Sequence, residues 1–386
     1  MNNYEYHVPT DIRFGRDQIS CLDKEIGKFG NKVLMVYGGG SIKLSGLYDK
    51  VCKVLNDFEI YELPGIEPNP KLSSVKMGAA ICKQYGIEAV LAVGGGSSID
   101  AAKHIACAAF YDGDPWDLVL DRSLVTRALP IFTVLTISAT GSEMNPGAVI
   151  SNEKTKEKLE INHPFLYPTL SVCDPSYQFT LPQRQTAAGT VDILSHIMEQ
   201  YFQPNDHAYI TDRLSEAAMK TCIKYGPIAI AEPDNYEARS NLMWTGSLAL
   251  NHLFTFGKGG AWSVHPIEHE LSAFYDITHG VGLAILTPAW MKHVLSDETA
   301  GRFAMYARNV WDVSQEDDMT AAKAGILCTQ RFFRELGMPD KLSEVGIDDS
   351  RLSEMAAEAI RTSGLSTRAY VKLNASDVEN IYRECL

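Results

Sequence analysis

The sequence predicts an α/β domain followed by an all-helical domain. Two compact apolar runs, Lys32–Tyr37 and Ala89–Val93, each lead straight into a glycine turn and then a helical pattern, as expected for strands buried on both faces. From Gln183 onward the apolar spacing changes to a period of about 3.6 and strand patterns stop. At 386 residues the chain is also long for a single core. The boundary is placed near Pro175–Pro182, giving domains 1–181 and 182–386.

In order along the chain, residues 1–20 suggest short strands. Lys32–Tyr37 runs into Gly38-Gly39-Gly40-Ser41, and Leu47–Phe58 carries an apolar helical face. The turn Pro64–Pro70 precedes a helix over about 72–85. Ala89–Val93 enters Gly94-Gly95-Gly96-Ser97-Ser98-Ile99-Asp100 and a helix to about Phe110. Strand, glycine turn and helix thus occur twice, which argues for parallel strands joined by crossover helices. Pro130–Ile137 is a third strand and ends at Ser138–Glu143. Ala148–Ser151 is a short strand, Asn152–Lys158 a lysine-rich turn, and Thr169–Cys173 another short run. Nine helices are expected beyond Gln183, with Phe256–Gly260 breaking the run.

Composition narrows the function classes. Hydrophobic content of 45% and charged content of 22% are ordinary for a globular protein. A net charge of −13 argues against nucleic acid or an anionic membrane as partner and favours a small-molecule substrate. No apolar run approaches the roughly 18 residues of a membrane span, and the start lacks the basic and apolar regions of a signal peptide. Eight scattered cysteines without a Cys-x-x-Cys fit buried thiols in a reducing cytoplasm.

A glycine turn between a buried strand and a helix presents backbone N–H groups to a phosphate and lets a ligand approach closely. Gly94–Ser97 suits a diphosphate, so the first domain is expected to bind a dinucleotide. Neither turn matches Gly-x-Gly-x-x-Gly. An acid just after the first strand would bind an adenosine ribose and repel a 2′-phosphate. That stretch holds Gly38–Lys43 with no acid, so NADP(H) is expected over NAD(H).

Gly260–Gly280 carries three of the ten histidines: His265, His269 and His279. His265 and His269 lie four apart and share a helix face, as do Asp192 and His196. Imidazoles with one carboxylate suit Fe(II), Zn(II), Co(II) or Ni(II) rather than Mg or Ca. Spacing alone does not choose between His265 and His269. A lone histidine in an apolar helix is usually a core residue, and His7, His104, His163, His207, His252 and His293 are left there. Asp192 is harder to dismiss, because a carboxylate within an apolar helix needs a partner. His265-Pro266-Ile267-Glu268-His269 also matches a zinc metalloprotease motif, with Glu268 as general base. That alternative leaves the glycine turns, Asp192 and His196 without roles.

Together these motifs resemble the iron-containing (group III) alcohol dehydrogenases, in their NADPH-dependent butanol dehydrogenase and aldehyde reductase branch. The resemblance spans essentially the whole chain. It rests on Gly38–Ser41, Pro68-Asn69-Pro70, Gly94–Asp100, Thr136–Glu143, Val191-Asp192-x3-His196, His265-x3-His269 and His279-Gly280. It implies a dehydroquinate-synthase-like two-domain architecture with cofactor and metal between the domains. It also implies metal ligands Asp192, His196, His265 and His279, leaving His269 close to the ion but not bound to it; so placed, His269 is the candidate proton carrier. The cofactor contacts it implies are Gly38, Gly39, Ser41, Asn69, Gly95, Gly96, Ser97, Asp100, Thr136, Thr140, Ser142, Lys158, Tyr177 and Thr180. Lys158 stands in the lysine-rich turn, where a solvated charge is the alternative. The implied reaction is hydride transfer between NADP(H) and short alcohols or aldehydes, in a cytoplasmic homodimer. Competing readings are a polyol dehydrogenase using NAD, a lyase-like cyclising enzyme using NAD internally, and a non-catalytic nucleotide-binding protein.

Overall fold

In the computed structural model, which describes residues 2–204 and 207–386, the apolar runs become inner strands of a six-stranded sheet. The strands are β1 (Asp11–Phe14), β2 (Lys32–Tyr37), β3 (Glu59–Leu63), β4 (Ala89–Gly94), β5 (Ile131–Leu135) and β8 (Leu170–Cys173). Their order is β1-β8-β5-β4-β2-β3, and every pair is parallel. The helices of this half are α1 (Leu22–Ile26), α2 (Ser41–Leu44), α3 (Leu47–Val54), α4 (Leu72–Tyr85), α5 (Gly96–Ala108) and α6 (Asp117–Leu120).

Alternation along the strands explains the continuous apolar runs. Leu34, Val36, Val90, Ala92, Ile131 and Leu135 form one core with Leu72, Val75, Ile99 and Ile105 from α4 and α5. Val33, Met35, Leu91, Val93, Phe132 and Val134 form the other with Leu22, Ile26, Leu47 and Val51 from α1 and α3. Both faces are covered, so neither can be polar. From β2 the chain moves outward to β3, then returns to β4 on the other side of β2. The carboxyl ends of β2 and β4 therefore flank the point where the strand order reverses, the usual ligand crevice of an open parallel sheet.

The lysine-rich turn is shorter than expected. β6 (Gly147–Asn152) and β7 (Glu157–Asn162) form an antiparallel hairpin in which Ser151 pairs with Lys158. Lys158 is therefore a strand residue, 7% exposed, not a solvated turn lysine. Leu159 and Ile161, the two apolar residues of β7 that pack on the core, are too few to announce a strand by alternation.

The rest of the chain is helical: α7 (Gln183–Tyr201), α8 (Tyr209–Ala231), α9 (Tyr236–Ala249), α10 (Val264–Tyr275), α11 (His279–Val294), α12 (Ala300–Trp311), α13 (Asp318–Glu335), α14 (Leu352–Thr362) and α15 (Ala375–Glu384). One compact unit comprises His7–Leu181 with Pro233–Asn251, and the other Pro182–Glu232 with His252–Leu386 and the N-terminal residues through Tyr6. This differs from a single cut after 181, because α9 packs with the α/β unit. Ser247 donates to Glu143, the Arg16 guanidinium lies 4.3 Å from the centre of the Tyr236 ring, and Phe14 meets Trp244 edge-on. Its apolar spacing marks α9 as a helix but carries no information about which core receives it. Among the described residues no helix is long and apolar enough to cross a membrane. The eight cysteines are all free thiols.

Candidate functional site

α7 is buried along nearly its whole length, and it brings Asp192, His196 and Glu199 to one stripe. Pro182 precedes its first turn, where a missing N–H costs nothing. The next contributor is α10, whose first turn accommodates Pro266 for the same reason. Glu199 caps α10: its carboxylate accepts from the backbone N–H groups of Ser263, Val264 and His265, each at 2.7 Å. α11 begins at His279, and its second residue is Gly280. A Cβ on Gly280 would sit 2.2 Å from the Ala188 carbonyl oxygen, so only glycine lets α11 close on α7 there. That approach sets His279 beside Asp192.

Three imidazole Nε2 atoms face one carboxylate oxygen. Asp192 Oδ1 lies 3.6 Å from His196, 3.9 Å from His265 and 3.7 Å from His279. These distances exceed hydrogen-bond reach. They resemble the edges of a tetrahedron: ligands about 2.0–2.2 Å from an ion stand roughly 3.4 Å from each other. The ligand atoms of Asp192, His265 and His279 all lie within 4.8 Å of one another. Neither His265 Nε2 nor His196 Nδ1, both buried, has a hydrogen-bond partner among the described residues. Burial, then the neighbouring His265, holds His196 well below the usual imidazole range, so its lone pair is available to a cation. Trp262 packs against the His196 and His265 rings, at 5.6 and 4.7 Å between centroids. His279 is the most exposed of the three histidines, at 23% of its side chain against 5% for His196 and 3% for His265. Such a donor set fits a divalent ion with imidazole preference.

His269 is half-buried one turn beyond His265, and its ring centre is 5.6 Å from that of His279. It also belongs to a second cluster, with Glu268 and His279. The protease alternative fails on this geometry. Glu268 is fully buried and accepts from Ser272 Oγ at 2.6 Å and from His279 Nδ1, so it is not placed as a base for water.

In the α/β unit most of the predicted nucleotide residues follow the carboxyl ends of β2, β4 and β5, whereas Asn69 follows β3, Lys158 stands on β7, and Tyr177 and Thr180 follow β8. The Gly38 carbonyl accepts from Gly65, Ser97 Oγ binds the Pro68 carbonyl, and Thr136 N donates to Gly94 O at 3.0 Å. Around Gly39 and Gly40 the space is open, with no atom within 4 Å of a notional Cβ. At Gly96 a Cβ would collide with Thr140 at 2.3 Å. Asn69 and Ser142 are buried, Tyr177 is half-buried and Thr180 is exposed. Asp100 is engaged within the protein: one oxygen accepts from Ser142 Oγ at 2.6 Å, the other from Val149 N at 2.9 Å. It holds the 140–149 segment in place. Lys103 does the same from one turn along α5, with Nζ bound to Asn145 O, Asn145 Oδ1 and Gly147 O. Burial lowers the Lys103 ammonium to about 8.

Sequence reasoning missed Glu199 and Lys103, each buried without a matching signal at fixed spacing, and named Glu268 only as the base of the protease alternative. It also found no acid near the first glycine turn. The structure supplies one from the neighbouring strand: Glu62 on β3 accepts from the Tyr37 and Tyr48 hydroxyls and lies 3.9 Å from Lys43 Nζ.

Comparison with known proteins yields matches over the whole length. A family model described as iron-containing alcohol dehydrogenase covers residues 9–175, and its C-terminal counterpart covers residues 186–386. The chain is 52% identical to NADH-dependent butanol dehydrogenase B of Clostridium acetobutylicum, over 100% of both chains. It is 39% identical to an NADPH-dependent aldehyde reductase of Escherichia coli, over 91% of each. The crystal structure of NADH-dependent butanol dehydrogenase A from Thermotoga maritima matches with a TM-score of 0.95 at 42% identity, covering 100% of this chain and 99% of that one.

Proposed function

The chain belongs to the iron-containing alcohol dehydrogenase family and is an oxidoreductase of the butanol dehydrogenase type, and from this premise we propose a metal-dependent hydride transfer between NADP(H) and short-chain alcohols or aldehydes. One observation carries the metal part of the reading: three imidazole Nε2 atoms within 3.6–3.9 Å of Asp192 Oδ1. Asp192, His196, His265 and His279 are the proposed ligands. When bound, a divalent ion such as Fe(II) or Zn(II) supplies a Lewis acid for the substrate oxygen, and the nicotinamide supplies or takes the hydride.

The chain's own groups do the rest. Asp192 brings the one anionic ligand, and its charge balances half of that of a divalent ion. Buried helices around the histidines keep bulk water from competing for the substrate oxygen. His269, half-buried beside His279, is the proposed carrier of the proton between the substrate oxygen and solvent. Its replacement should slow turnover and leave the ion bound.

On the nucleotide side, Gly95, Gly96 and Ser97 at the start of the thirteen-residue helix α5 are proposed to bind the diphosphate through backbone N–H groups. Gly38, Gly39 and Ser41 are proposed to bind the adenosine end. Asn69, Thr136, Thr140, Lys158, Tyr177 and Thr180 are proposed as further contacts, with Asp100 and Ser142 holding the loop. The proposed preference for NADP(H) rests on the acid-free stretch Gly38–Lys43 and on the half-exposed ammonium of Lys43. Glu62 acts against it, and similar proteins bear names of both kinds, NADH-dependent and NADPH-dependent. The test is steady-state oxidation of NADPH and NADH with a panel of short aldehydes. A higher kcat/KM with NADPH supports the preference; a tenfold higher value with NADH overturns it. The proposed assembly is a homodimer, which light scattering would check.

A further inference from the structure

Glu268 is the buried acid whose place the proposed reaction does not yet explain. It stands on α10 between His265 and His269, fully buried. Burying a carboxylate costs several kcal/mol unless its oxygens are well satisfied. One oxygen accepts from Ser272 Oγ, one turn further along the same helix, at 2.6 Å. The other accepts from Nδ1 of His279, across the helix pair. α11 is shaped to receive this side chain. A Cβ on Gly282 would lie 2.7 Å from Glu268 Cγ and 2.8 Å from its Oε1, so the carboxylate occupies the notch that a glycine leaves.

The consequence concerns the other nitrogen of His279. A carboxylate can only accept, so Nδ1 carries the proton and Nε2 presents its lone pair. That Nε2 lies 3.7 Å from Asp192 Oδ1. The ring is thus fixed both in tautomer and in aim. Glu199 treats His265 alike, its Oε1 lying 3.1 Å from Nδ1. Glu199 also caps α10, however, so its loss would damage the fold as well as the ligand. Glu268 stands a full turn inside α10, not at its start. Its effect on the imidazole can therefore be measured apart from the helix start.

We propose that Glu268 is a positioning residue for a divalent cation, holding His279 as an Nε2 ligand and strengthening that ligand by its negative charge, while Gly282 provides the space that aims it. The inference rests on the reading of Asp192, His196, His265 and His279 as the ligand set. Carboxylates placed behind ligating histidines typically change metal affinity by about 10–100-fold.

The test uses the full-length chain stripped of metal and titrated with Co(II), followed by visible absorption and chelator competition. Wild-type protein should bind one Co(II) per chain with the strong bands of a four-coordinate site. Glu268→Gln keeps an acceptor for the Nδ1 proton and removes the charge; affinity should fall about 10-fold, with shifted bands. Glu268→Ala removes both, and the loss should approach 100-fold. Gly282→Ala leaves the carboxylate but fills its notch; pushing the buried side chain off its partners outweighs the gain in helix propensity, so a weakened Co(II) site in a folded protein with a lowered melting temperature is expected. If Glu268→Ala does not fold, Glu268→Gln and Gly282→Ala carry the test. Wild-type affinity and an unshifted spectrum in both of these would overturn the role of Glu268. Failure of the wild-type chain to bind Co(II) at all would instead overturn the ligand set itself.

Discussion

Gly280→Ala isolates the contact that sets His279 beside Asp192. The added methyl would sit 2.2 Å from the Ala188 carbonyl oxygen, 2.7 Å from its carbonyl carbon and 3.0 Å from its Cα. All three are backbone atoms of α7, so no side chain can swing aside. Reaching ordinary contact at 3.4 Å requires the first turn of α11 to retreat from α7 by about 1.2 Å. Productive ligand geometry tolerates only about 0.5 Å. The substitution should therefore cost about 1–3 kcal/mol of stability through overpacking, and metal affinity should fall at least tenfold. Alanine's better helix propensity, worth up to about 1 kcal/mol, opposes only the first of these effects. The assay is a pair of thermal melts, metal-free and metal-saturated, together with metal content after dialysis. The metal-induced rise in melting temperature should shrink well below that of the wild type. A Gly280→Ala protein that retains one ion per chain and the full metal-induced rise would refute the idea that this helix contact positions the ligand.

Other outcomes follow from buried groups of the α/β unit. Burial holds the His104 imidazole down to about 4, with Nε2 2.8 Å from the Pro115 carbonyl. The unfolded chain binds that proton near pH 6.5 and the native one does not, so stability should fall as pH drops from 6.5, by about 2 kcal/mol at pH 5. Denaturant unfolding of wild type and His104→Gln across that range checks this, since the variant should lack that share of the slope. Lys103→Met should cost about 3–5 kcal/mol, because it strands three carbonyl acceptors and the buried carboxylates of Asp100 and Glu143. Its KM for the nicotinamide coenzyme should rise more than its KM for aldehyde. An equal rise in both would speak against Lys103 as the anchor of the 140–149 segment.

The fold class was legible because it depends on local signals. Buried strands leave continuous apolar runs, glycine turns follow them, and helices keep one period from residue 183 to the end. The packing of α9 shows the limit: Ser247 and Trp244 mark a helix, yet only the folded chain shows that they meet Glu143 and Phe14. β7 was hidden because Lys158 and Glu160 interrupt two apolar residues. At the candidate metal site, spacing nominated Asp192 with His196 and His265 with His269, since a helix face can be counted from sequence. Choosing among the histidines needed the resemblance, because contacts between helices leave no periodic trace. The cap that Glu199 places on α10 and the contact of Glu268 with His279 leave no trace for the same reason. Glu62 shows how a strand neighbour brings an acid to a turn whose own residues contain none.

The most direct measurement is activity against metal content in a single preparation. The protein is stripped with a chelator, assayed with butanal and NADPH, then reloaded with Fe(II) or Zn(II) and assayed again. Activity should vanish on stripping and return in proportion to bound metal, saturating at one ion per chain, and the same treatment should restore nothing to Asp192→Ala. Undiminished turnover by the stripped wild-type protein, or full recovery by Asp192→Ala, would contradict a reaction that depends on an ion held by Asp192 and the three histidines.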